Sequence, residues 1–220
     1  AAALARASNA LPSGQRLQHM VVTQFTDAFD PQAPDGDALP EAWSAWLLTR
    51  HPLPALEGGQ VEAWTDALQH QGEAPACEVG GGDMALLPYT SGTTGLPKGC
   101  VHIHSSIMHN AVSGSLWSSA SAEAVVLGVV PMFHITGMVS VMHTAMYCGA
   151  TLVIMPRWDR DLAGRLISRY QVTSWTNIPT MVIDLLASPN FAQYDLYSLL
   201  YIGGGGAAMP QAVAQRLLDN

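Results

Sequence analysis

The sequence predicts an α/β fold, a mostly parallel β-sheet flanked by helices. Apolar runs of four to seven residues, such as AVVLGVV (124–130), TLVIM (151–155) and LLYI (199–202), recur along the second half of the chain. Stretches of helical pattern separate them. The runs are apolar at successive positions rather than alternating, which marks strands covered on both faces. The composition agrees: of 220 residues, 49% are hydrophobic and only 12% charged, about half the usual charged share.

In chain order, residues 1–25 read as the tail of a helix, a turn at Pro12-Ser13-Gly14 and a strand at 19–25. Residues 26–60 are rich in Pro, Asp and Gly and read as loop, with a short amphipathic helix at 41–48. Residues 61–82 hold a weak helix and the loop EVGGG. This portion, 1–82, is expected to stand apart from a core at 83–220. There the pattern sharpens. Strands at 84–89 and 100–103, both expected to be buried, flank the loop YTSGTTGLPKGC (89–100). A helix at 105–118, a strand at 124–130, a helix at 135–147 and a strand at 151–155 follow. Asp159 or Asp161 caps a helix running to Tyr170. A strand at 172–178, a helix at 179–186 and a strand at 199–202 come next, and Pro210 suits the first position of the last helix. No internal repeat is visible.

The net charge is −8 with no cluster of Lys or Arg, which argues against nucleic acid or an anionic membrane as partner. Cys77, Cys100 and Cys148 form no CxxC pair; they read as buried free thiols of a cytoplasmic protein. No signal-peptide pattern opens the chain. The most apolar stretch, 135–155, is broken by Gly, Thr and His and reads as helix, turn and strand rather than a transmembrane segment. The chain lacks an initiator Met and ends at LLDN inside a helical pattern, so a fragment is expected. His102, His104 and His109 lack a Cys or carboxylate to complete a metal site. Met138, Met142 and Met146, four apart, read as core. Asp159, Arg160 and Asp161 read as a solvated helix start. No G-x-S-x-G elbow is present.

Three stretches carry chemistry. In the loop, Gly92, Gly95 and Gly99 permit left-handed backbone and let N–H groups converge. Thr90, Ser91, Thr93 and Thr94 add hydroxyls and Lys98 a positive charge. Such a nest suits a polyphosphate. It is not a Walker A loop, which places Lys directly before Ser or Thr and opens a helix. A plain Gly/Ser/Thr linker is the ordinary reading of such composition, but the full string is far more specific than a lone GxGxxG. In PMFHITGM (131–138), His134 follows a strand, where parallel sheets bind ligands, although a lone His between Phe133 and Ile135 is ordinarily structural. In YIGGGGAAMP (201–210), four glycines after a strand mark close approach of a flat ligand or another backbone.

Together these stretches resemble the adenylate-forming superfamily, in its acyl-CoA synthetase branch. YTSGTTGLPKG is similar to that family's phosphate loop, PMFHITGM to its substrate-pocket motif, and GGAAMP (205–210) to its adenine-side motif, with Ala208 in place of proline. NIPTM (177–181) and His104 look like family positions, and the resemblance implies that the helix carrying Met138, Met142 and Met146 borders the acyl tunnel, so that core and substrate lining coincide there. The resemblance covers about 83–220 and places the chain in the large N-terminal domain of such an enzyme. It implies that a carboxylate attacks the α-phosphate of Mg–ATP, giving acyl-AMP, which coenzyme A thiolate then converts to a thioester. Thr90, Ser91, Gly92, Thr93, Thr94, Gly95 and Lys98 would grip the β- and γ-phosphates, with Thr90 touching Mg²⁺. His134, the one residue given a catalytic part, would sit near the acyl carboxylate. Gly205, Gly206, Ala207 and Ala208 would separate adenine from the acyl chain. The implied partners are a carboxylic acid, ATP and coenzyme A, and a homodimer is compatible with the reading. A medium- or long-chain fatty acid is the expected substrate, with an aryl acid as runner-up. Because the family's later Mg²⁺ Glu, ribose Asp and C-terminal Lys are not in this chain, it is expected to be inactive alone. A non-catalytic nucleotide- or acyl-binding module and a luciferase-like oxidative relative are the competing readings.

Overall fold

Helix α1 (Ala2–Asn9) turns Ala5 and Ser8 inward. Strand β1 (His19–Val22) alternates exposed His19 and Val21 with buried Met20 and Val22, the period of two that a half-covered strand shows. Helix α2 (Glu41–Leu47) buries Trp43 and Leu47. Strand β2 (Gln60–Ala63) pairs with β1 in parallel, His19 against Gln60 through Val22 against Ala63, and the short helix α3 (Trp64–Ala67) follows. Ala5, Met20, Val22 and Leu56 form the core of this part, with Val61 packed on it. Asn9 ties it across the chain: its Nδ2 donates to the Ala55 carbonyl at 3.2 Å and its Oδ1 accepts from the Glu57 N–H at 2.9 Å. Sequence reading assigned no strand to 60–63, because QVEA carries only two apolar residues and pairing, not composition, makes it a strand. The strand expected at 19–25 ends at Val22.

The computed structural model describes residues 1–28, 40–92 and 95–219. It divides into two units, Ala1–Cys77 and Glu78–Asn220. In the second, β3 (Met84–Leu86), β4 (Tyr89–Thr90), β5 (Lys98–Gly99) and β6 (His102–Ile103) form two antiparallel pairs in nearly continuous register, from Met84 against Ile103 to Thr90 against Lys98. Between them the Cys100 N–H donates to the Pro88 carbonyl at 2.8 Å. The two arms therefore make one ribbon with a bulge. The expectation that they are buried does not hold: Met84, Leu87, Tyr89 and Val101 are exposed. Helix α4 (His104–Ser118) follows directly and ends on Ser119, at φ 52°.

A second, larger sheet is built from β7 (Val125–Gly128), β8 (Thr151–Ile154), β9 (Ser174–Asn177) and β10 (Tyr201–Gly204), ordered β10-β9-β7-β8 and parallel throughout. After β7 come a π-helix (Thr136–His143) and α5 (Thr144–Cys148). Helix α6 (Arg160–Tyr170) connects β8 to β9, α7 (Pro179–Leu186) leads from β9 toward β10, and α8 (Gln211–Leu218) comes last. Because β7 lies between β8 and β9, the chain reverses its direction across the sheet beside β7. Ligands of open parallel sheets bind beyond the carboxyl ends of strands at such a reversal.

Strand β7 buries residues on both faces, Val126 and Leu127, whereas β9 buries only the face of Trp175 and Asn177. Val126 packs with Val141 and Ala145 on one side. On the other, fully buried Trp175 stacks on Trp158, with ring centroids 5.7 Å apart and planes at 6°. Met146 is 70% exposed rather than core, and none of the three cysteines is fully buried. Pro210 flanks α8 instead of opening it. Among the described residues, no helix is long and apolar enough to cross a membrane.

Candidate functional site

The Gly-rich loop is the tip of the β3–β6 ribbon. Its register places Thr90 directly opposite Lys98, so the hydroxyl and the ammonium stem leave the same face, a few ångströms apart. Both residues are exposed, as is Ser91. Gly92 has φ +65°, and a Cβ there would lie 2.5 Å from the Leu96 carbonyl oxygen. Gly95 has φ +86°. These are left-handed positions that glycine alone occupies without strain. Thr93 and Thr94 lie outside the described residues.

His134 lies beyond the carboxyl end of β7 and is exposed. The Thr136 N–H donates to its Nδ1 at 3.2 Å, which leaves the ring proton on Nε2, pointing a donor outward. The turn is fixed by its backbone: the His134 N–H donates to the Pro131 carbonyl at 3.0 Å, and the His134 carbonyl accepts from Met138 N–H at 2.9 Å. Gly137 is buried against the same turn, so that a Cβ would press on the carbonyls of Pro131 and Val130. The wide π turns begin here, a geometry concentrated at functional sites; sequence reading foresaw an ordinary helix.

Beyond β9 and β10 lie two cavities. One, of roughly 650 Å³, is bounded by α4, the π-helix and the sheet; Ile135, Thr136, Ser174, Thr176, Tyr201 and Gly203 are among its walls. The other, of roughly 760 Å³, includes Asn177, Leu200, Ile202, Ala207, Met209 and Leu217 in its lining. Gly203 and Gly204 border both. A Cβ on Gly203 would meet the Tyr201 ring, at 2.5 Å from its hydroxyl, and one on Gly204 would lie 2.8 Å from the Asn177 carbonyl. The two central glycines thus give close packing, whereas a Cβ on Gly205 would meet nothing within 4 Å and Gly206 has φ +79°.

The lead into β10 is pinned by carboxylates. Asp161 accepts from the hydroxyls of Ser188 (2.5 Å) and Tyr194 (2.6 Å) and from Asn190 Nδ2 (3.4 Å). The Ser188 hydroxyl first, then Tyr194, hold its pKa below the ordinary 3.8 against the opposing effect of burial. Burial, then Asp161, pushes the Tyr194 phenol above its ordinary value. Asp184 accepts from Trp158 Nε1 at 2.7 Å and Arg160 Nη1 at 3.1 Å. Asp159 caps α6 through the Leu162 N–H. The trio read as a solvated helix start is therefore bonded.

The π-helix stretch and the glycine stretch meet on one cavity: Ile135 and Thr136 on one side, Gly203 to Gly205 on the other. His134, Gly206 and Ala208 line neither cavity, Ala207 lines the larger one, and the ribbon tip borders neither. The smaller cavity also uses Ser174 and Thr176, which motif reading passed over, and Tyr201, which opens the glycine stretch but was given no role there. The available signal was two hydroxyls at alternate positions of a strand expected to be apolar. Among the described residues, no group of three His, Cys, Asp or Glu is placed to hold a metal ion.

The sequence pattern of AMP-binding enzymes matches residues 2–220. The chain is 35% identical over 136 residues to a long-chain-fatty-acid–CoA ligase of Bacillus subtilis (strain 168), covering 61% of this chain and 24% of that protein. It is 32% identical over 168 residues to a 4-coumarate–CoA ligase of Pinus taeda, covering 74% of this chain and 31% of the relative. Among solved structures, the inhibitor-bound N-terminal domain of FACL13 from Mycobacterium tuberculosis superimposes with a TM-score of 0.65 at 30% identity, over 74% of this chain and 42% of that one. The chain thus spans a quarter to a third of the length of these two curated relatives.

Proposed function

This chain belongs to the AMP-binding enzyme family, and from that premise we propose that its protein activates a carboxylic acid with ATP and transfers the acyl group to coenzyme A. A carboxylate oxygen attacks the α-phosphorus, the bond to the leaving pyrophosphate breaks, and acyl-AMP forms. The thiolate of coenzyme A then attacks the acyl carbon and AMP departs. The observation that carries this reading is the ribbon tip, where Thr90 stands opposite Lys98 beneath two left-handed glycines. A transferring phosphate needs positioning and charge stabilisation rather than an acid or base. Lys98 supplies the charge, Thr90 and Ser91 the hydroxyl donors, and the divalent cation arrives on the nucleotide as Mg–ATP. His134 offers its Nε2 proton to the acyl carboxylate. The smaller cavity takes the acyl tail; at roughly 650 Å³ it has the size of a small-molecule site.

The acid is a medium- or long-chain fatty acid in the first reading and an aryl acid in the second; relatives carrying each name are among the similar proteins. The 220-residue chain is expected to turn over little ATP by itself, and acid-dependent AMP release by the purified chain would overturn that. The function is tested by ATP–pyrophosphate exchange with the intact protein over a panel of fatty and aryl acids. Exchange that requires an acid supports activation. Nucleotide binding with no acid-dependent exchange replaces it with a binding module.

A further inference from the structure

We infer that Ser174, Thr176 and Tyr201 form a hydrogen-bonding floor that selects a carboxylic acid carrying a hydroxyl on its tail over the plain acid of the same size. The inference rests on the acid-activation reading of the same cavity.

Parallel pairing sets Tyr201 beside Ser174 and Gly203 beside Thr176. Side chains two apart on a strand share a face, so the three hydroxyl residues occupy one patch of the sheet. The Tyr201 ring folds over Gly203, its hydroxyl filling the place of a missing Cβ, which brings the phenol toward Thr176. All three residues line the smaller cavity.

Several other hydroxyls of this layer are satisfied within the protein, whereas those of Ser113 and Ser140 on the cavity rim are exposed. Thr173 bonds the backbone of Val125 in both directions. The Thr144 hydroxyl donates to the Val139 carbonyl, Ser118 to Gly114 and Ser115 to Val112. The hydroxyls of Ser174, Thr176 and Tyr201 have no such partner among the described residues. The same holds for the Thr136 hydroxyl on the opposite wall. A cavity built for an alkyl tail gains nothing from unpaired hydroxyls. Such a tail displaces the water that serves them and leaves donors and acceptors unmet. A tail with its own hydroxyl replaces that water bond for bond, and sites of this kind reject the analogue that lacks the group.

The shared chemistry is a hydroxyl on the tail; an ω-hydroxy fatty acid and a hydroxylated aryl acid both provide it. The test is calorimetric titration of the intact protein with two matched pairs. One pair is an ω-hydroxy fatty acid and the fatty acid of equal length, the other a para-hydroxy aryl acid and its unsubstituted parent. The hydroxylated member of one pair should bind at least about tenfold more tightly, the factor that corresponds to about 1.4 kcal/mol, and the pair that shows it names the skeleton. Thr176→Val should cut that preference to within about threefold, by the same scale, with the plain acid gaining affinity as one unmet hydroxyl is removed. Ser174→Ala and Tyr201→Phe, which each remove a single oxygen, repeat the measurement if Thr176→Val unfolds. Equal or tighter binding of the plain acids overturns the inference and leaves acid activation standing. Failure of every acid to bind overturns both.

Discussion

Replacing Gly137 with alanine tests how the turn behind His134 is held. The added Cβ would lie 2.5 Å from the Val130 carbonyl oxygen and closer still to that of Pro131, where real contacts do not fall under 3.0 Å. Both neighbours are backbone, so no side chain can swing aside; the turn itself must open by at least the 0.5 Å difference. Overpacking of this kind costs about 1–3 kcal/mol, and a backbone clash in a buried turn belongs at about 3. Alanine's better helix propensity returns up to about 1 kcal/mol. The net loss is about 2 kcal/mol, or roughly 4–8 °C in Tm for a chain of this size. Thermal unfolding by circular dichroism and calorimetry measures it, with Gly205→Ala as the control because no atom lies within 4 Å of its Cβ. A Gly137→Ala Tm within about 2 °C of the parent, less than 1 kcal/mol on the same scale, would refute the reasoning. So would an equal fall in Gly205→Ala.

Lys98→Met removes the only cation of the ribbon tip. Acid-dependent pyrophosphate exchange by the intact protein should fall about 10²–10³-fold, while Tm stays put because the residue is exposed; unchanged exchange would remove Lys98 from the phosphate site. Asp161→Asn should cost about 1 kcal/mol in urea unfolding at neutral pH, since weakened hydrogen bonds at a partly exposed group are worth little more. The Asp161 pKa is depressed in the fold, so its contribution is complete above the ordinary 3.8 and fades as the pH falls through the folded value. The gap between parent and variant should therefore narrow below pH 3.8, and a gap that widens there would contradict the assignment. Asn9→Ala breaks two bonds to chain 46 and 48 residues away. It should destabilise the N-terminal unit by about 1–2 kcal/mol, read from its own tryptophan fluorescence in urea; no change would mean that the two bonds contribute nothing net.

Much of the second unit was legible because its strands are long enough in apolar residues to stand out. Val125–Gly128 and Thr151–Ile154 fall inside the runs 124–130 and 151–155. Pairing trims the ends, which no composition signals. β10 was shifted, from 199–202 to Tyr201–Gly204, because glycines carry no strand propensity of their own; the ladder to β9 holds them extended. The ribbon was legible as two strands around a loop but not as an exposed one, since Met, Leu, Tyr and Val read as buried wherever they occur. Motif reading found the loop, the His turn and the glycine turn. It placed the helix after His134 beside the acyl tunnel but did not see that β9 completes the cavity, for that depends on which face each strand residue takes, and the face is fixed by register.

The ribbon and the parallel sheet share no ladder bond. The spacing between Thr90 and Lys98 is set by their own cross-strand pair and by the Cys100 to Pro88 bond behind it. The gauge of this pair is therefore set within the ribbon itself. Sequence changes in the sheet can then reshape the cavity while the Thr90–Lys98 pair keeps its spacing.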